Sequence, residues 1–503
     1  MKNRWSKRSV IFVSLLLVFV LMACENTTKP TQEDHANLPT TDVVIIGSEI
    51  EGVYLARAAK DEGLSVTILD PREHLGGQLI QGQMLYLDEP FDDQGKSLLQ
   101  GRVKHLFDEY KKGTIRKSAD FQKYYESLLE GIQVESGIRV TDIEIDSIKS
   151  PKQVKSIAYE TVSGEKKHIT ASYFVENTDF AALTSQLGVE QIPGIETFFG
   201  SKNKEHMAAT YMMKFKNVNW EQFDKQVNAL SKEKRDEKYG GNTNVSHTFT
   251  YGFGNIGRSY KPTNEKVYLR GLNTINMLNG EAAINALLVF GVNPSDPASI
   301  KDSVELGQSE SEHVVKHLRE TLPGWEKAEL NEATPYLYIR DSDRYETNYV
   351  LQASDLMSGT MHWDDVSIAG YSIDLQGIQS QVWGKTIAKP DKYGMPLRSF
   401  MTKGYSNVIV AGKNVGASAI AFGSARIQPN TSLAGETIGY ILGQIKGKKN
   451  LVDLKEQDFE KLTDYISQKY NITLKGVPAN NKIKDYTPEQ IEKLNIKGSI
   501  VGK

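Results

Sequence analysis

Short apolar runs along the chain stop at glycines and acids, in an order that predicts alternating strands and helices. Residues 43–46 are β-branched and apolar and end at Gly47. A helical pattern follows at about 52–61, and a second apolar run, 66–69, ends in Asp70. Continuous apolar runs of this length fit strands buried on both faces of a parallel sheet. Helical patterns recur at 94–112 and near 121–129. Between 138 and 170 the rhythm changes to short alternating runs separated by Ser150-Pro151-Lys152 and Ser163-Gly164-Glu165, which predicts a small antiparallel meander. Another strand at 173–175 leads to Asn177-Thr178-Asp179. From about 194 to 395 the signals are weaker: strands at 211–215 and 267–269, and long helices at 282–290 and 303–322. Asn407-Val408-Ile409-Val410-Ala411 is again a buried-strand pattern, closed by Gly412, and a helix is expected at 432–444. A strand, turn and helix this late predict that the first domain is completed from the far end of the chain. The remainder is charged, with a surface helix at 458–469 and a last segment of little core-forming character.

The opening unit has the order of a dinucleotide-binding βαβ fold. Asp70 follows the first glycine by about 20 residues, where it can bond a ribose hydroxyl. The glycine motif is imperfect. Gly47-Ser48-Glu49-Ile50-Glu51-Gly52 carries Glu49 where G-x-G-x-x-G needs a glycine for close approach to a pyrophosphate. Two readings stay open: Glu49 turns away or is held by backbone amides or water, or it marks a site that has lost its cofactor. A literal match, Gly252-Phe253-Gly254-Asn255-Ile256-Gly257, is expected to be only a turn. No apolar strand leads into it, and Pro262 follows soon after.

The chain has 503 residues and a formal net charge of −3, so two packed domains are affordable and nucleic acid is not an expected partner. Lys2, Arg4, Lys7 and Arg8 precede an apolar stretch, 10–22, that is short for a membrane span. It ends in Leu21-Met22-Ala23-Cys24, which resembles a bacterial lipoprotein signal. That resemblance implies cleavage before Cys24, a lipid such as palmitate on its thiol, and an extracytoplasmic location at the cell membrane. Cys24 is the sole cysteine, which excludes intrachain disulfides, dithiol redox chemistry and Cys-ligated iron–sulfur clusters. No His-x-x-x-His or Glu-x-x-His cluster points to a metal site.

Four segments resemble the FAD-dependent oxidoreductase family, built on the glutathione-reductase-type FAD fold. They are the βαβ unit with Leu75-Gly76-Gly77-Gln78; Val175 through Leu183, with Asp179 kept and the family's glycines lost; Ile339-Arg340-Asp341-Ser342-Asp343-Arg344 leading to Gly370 through Gly377; and Met395-Pro396-Leu397-Arg398-Ser399 with Gly412-Lys413-Asn414 and Gly423 through Asn430. The resemblance implies FAD as cofactor. Gly47, Ser48 and Gly52 would hold its ADP half and Asp70 its adenosine ribose, with Gly76, Gly77, Gln78 and Asp179 as further cofactor-binding residues. Gly412, Lys413, Asn414, Pro429 and Asn430 would hold the flavin end. Gln376 stands where relatives often have histidine, and a carboxamide cannot shuttle a proton.

Arg340, Arg344, Arg398 and Arg426 recur in these segments and can pair with acids, clamp a carboxylate or stabilise a reduced flavin. Of these, Arg340 and Arg426, with Tyr371 and Asp374, are the expected catalytic groups. His362, Asp364 and Asp365 are further acid–base candidates. The expected architecture is α/β: a discontinuous Rossmann-like FAD-binding domain with an inserted α+β substrate domain. Its parts are a signal peptide (1–23), a flexible tether (24–41), FAD-binding segments (42–193 and 396–444), the insert (194–395) and a helical tail (445–503). The expected activity is hydride transfer between a small organic substrate and flavin N5, with the electron acceptor left open. The alternative is a non-catalytic extracellular binding lipoprotein on a decayed flavoprotein scaffold.

Overall fold

A computed structural model describes residues 39–500; the leader and Cys24 lie outside the described residues. The first sheet contains β1 (Thr40–Ile46), β2 (Val66–Asp70), β3 (Gln133–Ser136), β4 (Arg139–Asp146), β5 (Gln153–Glu160) and β6 (Lys166–Glu176). Its order is β3-β2-β1-β6-β5-β4, and the late strand Val408–Val410 pairs with β6. β6 is long enough to serve two ladders. Residues 174–176 run parallel to 408–410, while 166–170 run antiparallel to β5. β1, β2, β3 and the Val408–Val410 strand are all parallel to their neighbours, so Ile46, Asp70, Glu176 and Val410 end at one edge. Open α/β sheets bind ligands beyond that edge.

The helix Ile50–Asp61 is buried along most of its length and packs on the helix Gln428–Ile445. Gly435 and Gly439 make the approach possible: a Cβ at either would meet the backbone oxygen of Glu51 or Leu55 at 2.3 or 2.5 Å. The segment containing Asp365–Ala369 and Tyr393–Pro396 shares the hydrophobic core of this first layer.

The second sheet comprises β7 (Ala209–Lys216), β8 (Asn244–Val245), β9 (Phe249–Tyr251), β10 (Val267–Leu269), β11 (Thr274–Leu278), β12 (Glu281–Val289) and β13 (Glu329–Leu330). Its order is β13-β7-β12-β11-β9-β8, with β10 also on β12. The helix Pro297–Thr321 packs against it, and the two share a separate apolar core.

Three expectations need correction. Residues 282–290 do not form a helix; all but Phe290 lie in the central strand β12, buried from Ala282 onward and paired with β7, β10 and β11. Burial on both faces overrides the helix propensity of its alanines and leucines. The last segment does contribute to the core: Ile483 and Leu494 are buried, and Leu494 sits on the helix Pro488–Lys497. That helix starts at a Thr487–Gln490 capping box with Pro488 in its first turn. The literal glycine motif does have flanking elements, the three-residue strand β9 and the six-residue helix Gly254–Ser259. β9 is antiparallel to its neighbours, however, and a Cβ at Gly257 would meet the Leu269 carbonyl at 2.5 Å. Gly257 is therefore a close-packing residue against β10.

Candidate active site

At the end of β1 the chain turns at Gly47, whose φ is +95°. A Cβ there would meet the Asn177 carbonyl oxygen at 2.5 Å, so the position is closed to other residues twice over. Gly52 leaves room for the Asn177 side chain, whose Nδ2 donates to the Glu49 carbonyl at 2.8 Å. The βαβ unit and the 175–183 segment are thus keyed into each other. Ser48 Oγ donates to Asp70 Oδ2 and accepts the Gly76 N–H at 2.9 Å. Asp70 Oδ1 accepts the N–H of Arg72 at 2.8 Å. Asp70 is fully buried, and both its oxygens are bonded within the protein.

Glu49 neither faces solvent nor caps its helix. Its Oε2 accepts the Gln78 N–H at 3.0 Å, and its Oε1 lies 3.2 Å from Arg72 Nη1 and 3.9 Å from Lys413 Nζ. Burial opposes ionisation, but Lys413 and Arg72 outweigh it and hold Glu49 below the usual carboxylate range. A Cβ on Gly77 would meet Glu49 Oε1 at 2.1 Å. The substitution at 49 and the Gly76-Gly77 doublet are therefore complementary: the carboxylate lies in the space that Gly77 leaves.

Around this pair the other expected binding residues converge. Arg72 Nη1 reaches Asp179 Oδ2 at 3.3 Å. Lys413 Nζ donates to Gln78 Oε1 at 2.9 Å and to the Ile339 carbonyl at 2.7 Å. Asn414 Nδ2 donates to the Thr178 carbonyl at 2.7 Å. Gly412 turns with φ +60° at the end of its strand. Pro429 and Asn430 sit in the first turn of Gln428–Ile445, where Asn430 Oδ1 accepts the Gly370 N–H at 3.3 Å. Glu51, in the first turn of Ile50–Asp61, is buried with Oε2 unpartnered among the described residues. Burial, then the charge of Glu49, push its carboxyl up to about 7. Beside Arg72 opens a cavity of about 1040 Å³, lined by His74, Ile138, Phe180 and Tyr336 among others.

The four expected catalytic residues form a second cluster. Arg426 Nη1 donates to Tyr338 Oη at 3.2 Å, and its Nη2 lies 4.0 Å from Asp374 Oδ2. Arg340 stacks over the Tyr338 ring at 4.5 Å and donates to Thr210 Oγ1 at 2.7 Å and to the Ala208 carbonyl, which ties it to β7. Burial, together with repulsion from Arg426 and Arg270, lowers Arg340 to about 10. Tyr371 Oη donates to Asp88 Oδ1 at 3.0 Å. Burial and the charge of Asp374 raise Asp88 to about 6, although the Tyr371 hydrogen bond opposes this. Gln376 bridges: its Oε1 accepts from Arg270 and its Nε2 donates to Asp374. The Gln376 carboxamide thus links an arginine to an aspartate.

Asp88, Arg270 and Tyr338 were not singled out from the sequence. Asp88 sits in Leu87-Asp88-Glu89-Pro90, which carries no motif. Arg270 directly follows strand β10, a placement that could have drawn attention to it. Two of the recurring arginines prove to be ion-pair partners elsewhere. Arg344 binds Asp341 at 2.8 Å, with both side chains almost fully buried, and Arg398 takes Asp364 through Nε and Nη2 at 2.9 and 3.0 Å. His362 and Asp365 gather near that second pair: His362 donates its N–H to Asp365 at 2.8 Å, and both feel the charges of Asp364 and Arg398.

FAD fits these residues. Gly47 leads into a helix N-terminus with no side-chain cap, and Arg72 Nη2, Glu51 Oε2 and Arg426 Nε are buried without partners among the described residues. Such atoms suit an elongated polar ligand running from the Arg72 end towards Arg426. No curated protein matches the chain. Solved structures with a similar trace include a geranylgeranyl bacteriochlorophyll reductase-like protein from Thermoplasma acidophilum (13% identity, TM-score 0.37, 86% of this chain and 84% of that one). A flavoprotein/dehydrogenase from Cytophaga hutchinsonii (14%, 0.35, 85% and 84%) and a myxobacterial FAD-dependent chondrochloren halogenase (11%, 0.36, 86% and 80%) are also similar. The model of the FAD dependent oxidoreductase family matches residues 42–462. The chain belongs to that family, a flavin enzyme with FAD as its cofactor.

Proposed function

We propose that the protein transfers hydride between a small anionic organic substrate and FAD. The observation that carries this reading is the convergence of Arg270, Arg340 and Arg426 beside the Tyr371–Asp88 pair. When bound, FAD supplies the two-electron acceptor or donor at its N5. Gly47 and the helix N-terminus that follows it would hold its phosphates; Arg72 and the adjoining cavity would take the adenosine. Arg270 and Arg426 orient a carboxylate, because guanidinium forks match carboxylate geometry. In the oxidative direction the substrate hydroxyl proton passes to Tyr371 Oη as the Tyr371 proton passes to Asp88 Oδ1. Asp88, raised to about 6, is mostly ionised at neutral pH yet basic enough to accept that proton.

The test is anaerobic incubation of the holoprotein with a panel of 2-hydroxy and 2-amino acids, following the flavin absorbance. Bleaching by one class, lost in Arg426→Met, supports the reading. Bleaching only by uncharged substrates, or none by any acid, sinks it.

The anchoring reading completes the proposal. The Leu21-Met22-Ala23-Cys24 sequence supports lipidation of Cys24 and an extracytoplasmic site at the membrane. Metabolic labelling with palmitate should tag the protein and fail to tag Cys24→Ser. Equal labelling of both, or of neither, refutes it.

A further inference from the structure

Strand β9 carries Phe249 and Tyr251 on one face, while Thr250 between them turns inward and donates to the Leu272 carbonyl at 3.0 Å. Both rings are exposed, at 38% and 42%. Their centroids are 6.2 Å apart and their planes 24° from parallel. Tyr86 meets Phe249 edge-on at 6.2 Å, and Tyr86 in turn feels the charges of Asp88, Tyr251 and Arg270. The row of rings therefore leads to the acid and the arginine of the second cluster. Near Arg270, Tyr268 of β10 meets Trp383 edge-on at 5.3 Å, and Trp383 is 52% exposed.

Single exposed aromatics are ordinary, but a row of them beside a charged cluster is a recognition surface. Nearly parallel rings offer flat faces to another flat face. Three arginines against Asp88 and Asp374 leave the cluster with spare positive charge. We propose that Phe249 and Tyr251 form a stacking platform for a six-membered ring of the substrate, whose carboxylate is held by Arg270 and Arg426. The substrate is then a ring-bearing carboxylate rather than a short-chain acid. This rests on the carboxylate reading above and adds the ring. A uronic pyranose and an aryl acid share that chemistry.

The experiment titrates the holoprotein with acetate, galacturonate and phenylacetate, reading the flavin difference spectrum. A ring acid should bind at least about tenfold more tightly than acetate. The Phe249→Ala/Tyr251→Ala double variant should bring ring acids to the level of acetate and leave acetate unchanged. Preference for galacturonate or phenylacetate identifies the ring as pyranose or aryl. If the double variant fails to fold, Tyr251→Leu alone should lose part of the ring preference at an unchanged melting temperature. Ring acids that bind no better than acetate, while acetate binding depends on Arg426, overturn the platform and leave the carboxylate reading standing. No perturbation by any of the three acids overturns both.

Discussion

The two ends of the site handle charge in opposite ways. At the glycine end, Glu49, Glu51, Asp70 and Asp179 surround Arg72 and Lys413, four acids against two cations. At the far end, Arg270, Arg340 and Arg426 outnumber Asp88 and Asp374. The first end spends its cations on its own carboxylates. A diphosphate arriving there must rely on backbone N–H groups at the helix N-terminus and on the close approach that the glycines permit. The second end keeps positive charge in reserve, buried at Arg340 and Arg426, where an incoming anion finds it little screened. On the proposed reading, geometry recognises the cofactor and charge recognises the substrate.

If that division is right, the largest effect comes from a change of shape at the first end. Gly47→Val puts a branched side chain at φ +95°, with its Cβ 2.5 Å from the Asn177 carbonyl oxygen. The strain and overpacking cost about 3 kcal/mol of stability. The purified variant should be colourless, as judged by its visible spectrum and melting temperature. Retained flavin would show that the turn is not what holds FAD. Next in size is a change of charge at the other end. Arg426→Met should keep FAD and lower kcat/KM for the anionic substrate by about a thousandfold, as removal of a buried charge partner does. Tyr371→Phe removes only the hydroxyl between substrate and Asp88. A loss of about a hundredfold in kcat, with KM little changed, is expected in stopped-flow flavin reduction.

The contrast also separates what the sequence made legible from what it did not. Strands buried on both faces declare themselves as apolar runs, so 43–46, 66–69 and 408–410 were readable, and the acid and glycines at their ends came with them. Motif segments that are far apart in sequence meet at Gln78, Asp179 and Lys413. Residues 282–290 misled because an alanine-rich run states its burial without stating its period. At Glu49 the sequence leaves two readings open, and a carboxylate held by the Gln78 N–H is one of them. A pattern judged one position at a time sees a lost glycine at 49, whereas the fold pairs the carboxylate with Gly77, 28 residues on. Asp88 lies in no motif, and both it and Arg270 take their place in the cluster through partners from other elements, Tyr371 and Gln376.

The smallest predicted effect is the most diagnostic of the acid-rich end. Glu51 sits in the first turn of Ile50–Asp61, facing Glu49 on its own helix, Lys413 on the Gly412 turn and Thr431 on Gln428–Ile445. Its carboxyl titrates at about 7 in the folded protein against a usual 4.5. The folded state therefore holds a proton that the unfolded chain has released between those values. The stability this gives is present in full below about 4.5 and is lost as pH rises through about 7. FAD adds a diphosphate to the same neighbourhood, which favours the protonated form further. Above about pH 7 binding must then take up a proton, and Kd should rise by up to about tenfold per pH unit. Glu51→Gln keeps the shape and removes the titration. Flavin fluorescence titrations at pH 6 and pH 8 should give a Kd ratio of roughly ten in the wild type and near one in the variant. Equal ratios in both proteins would place the diphosphate beyond the reach of Glu51, and the acid-rich end would then be neutral towards its cofactor.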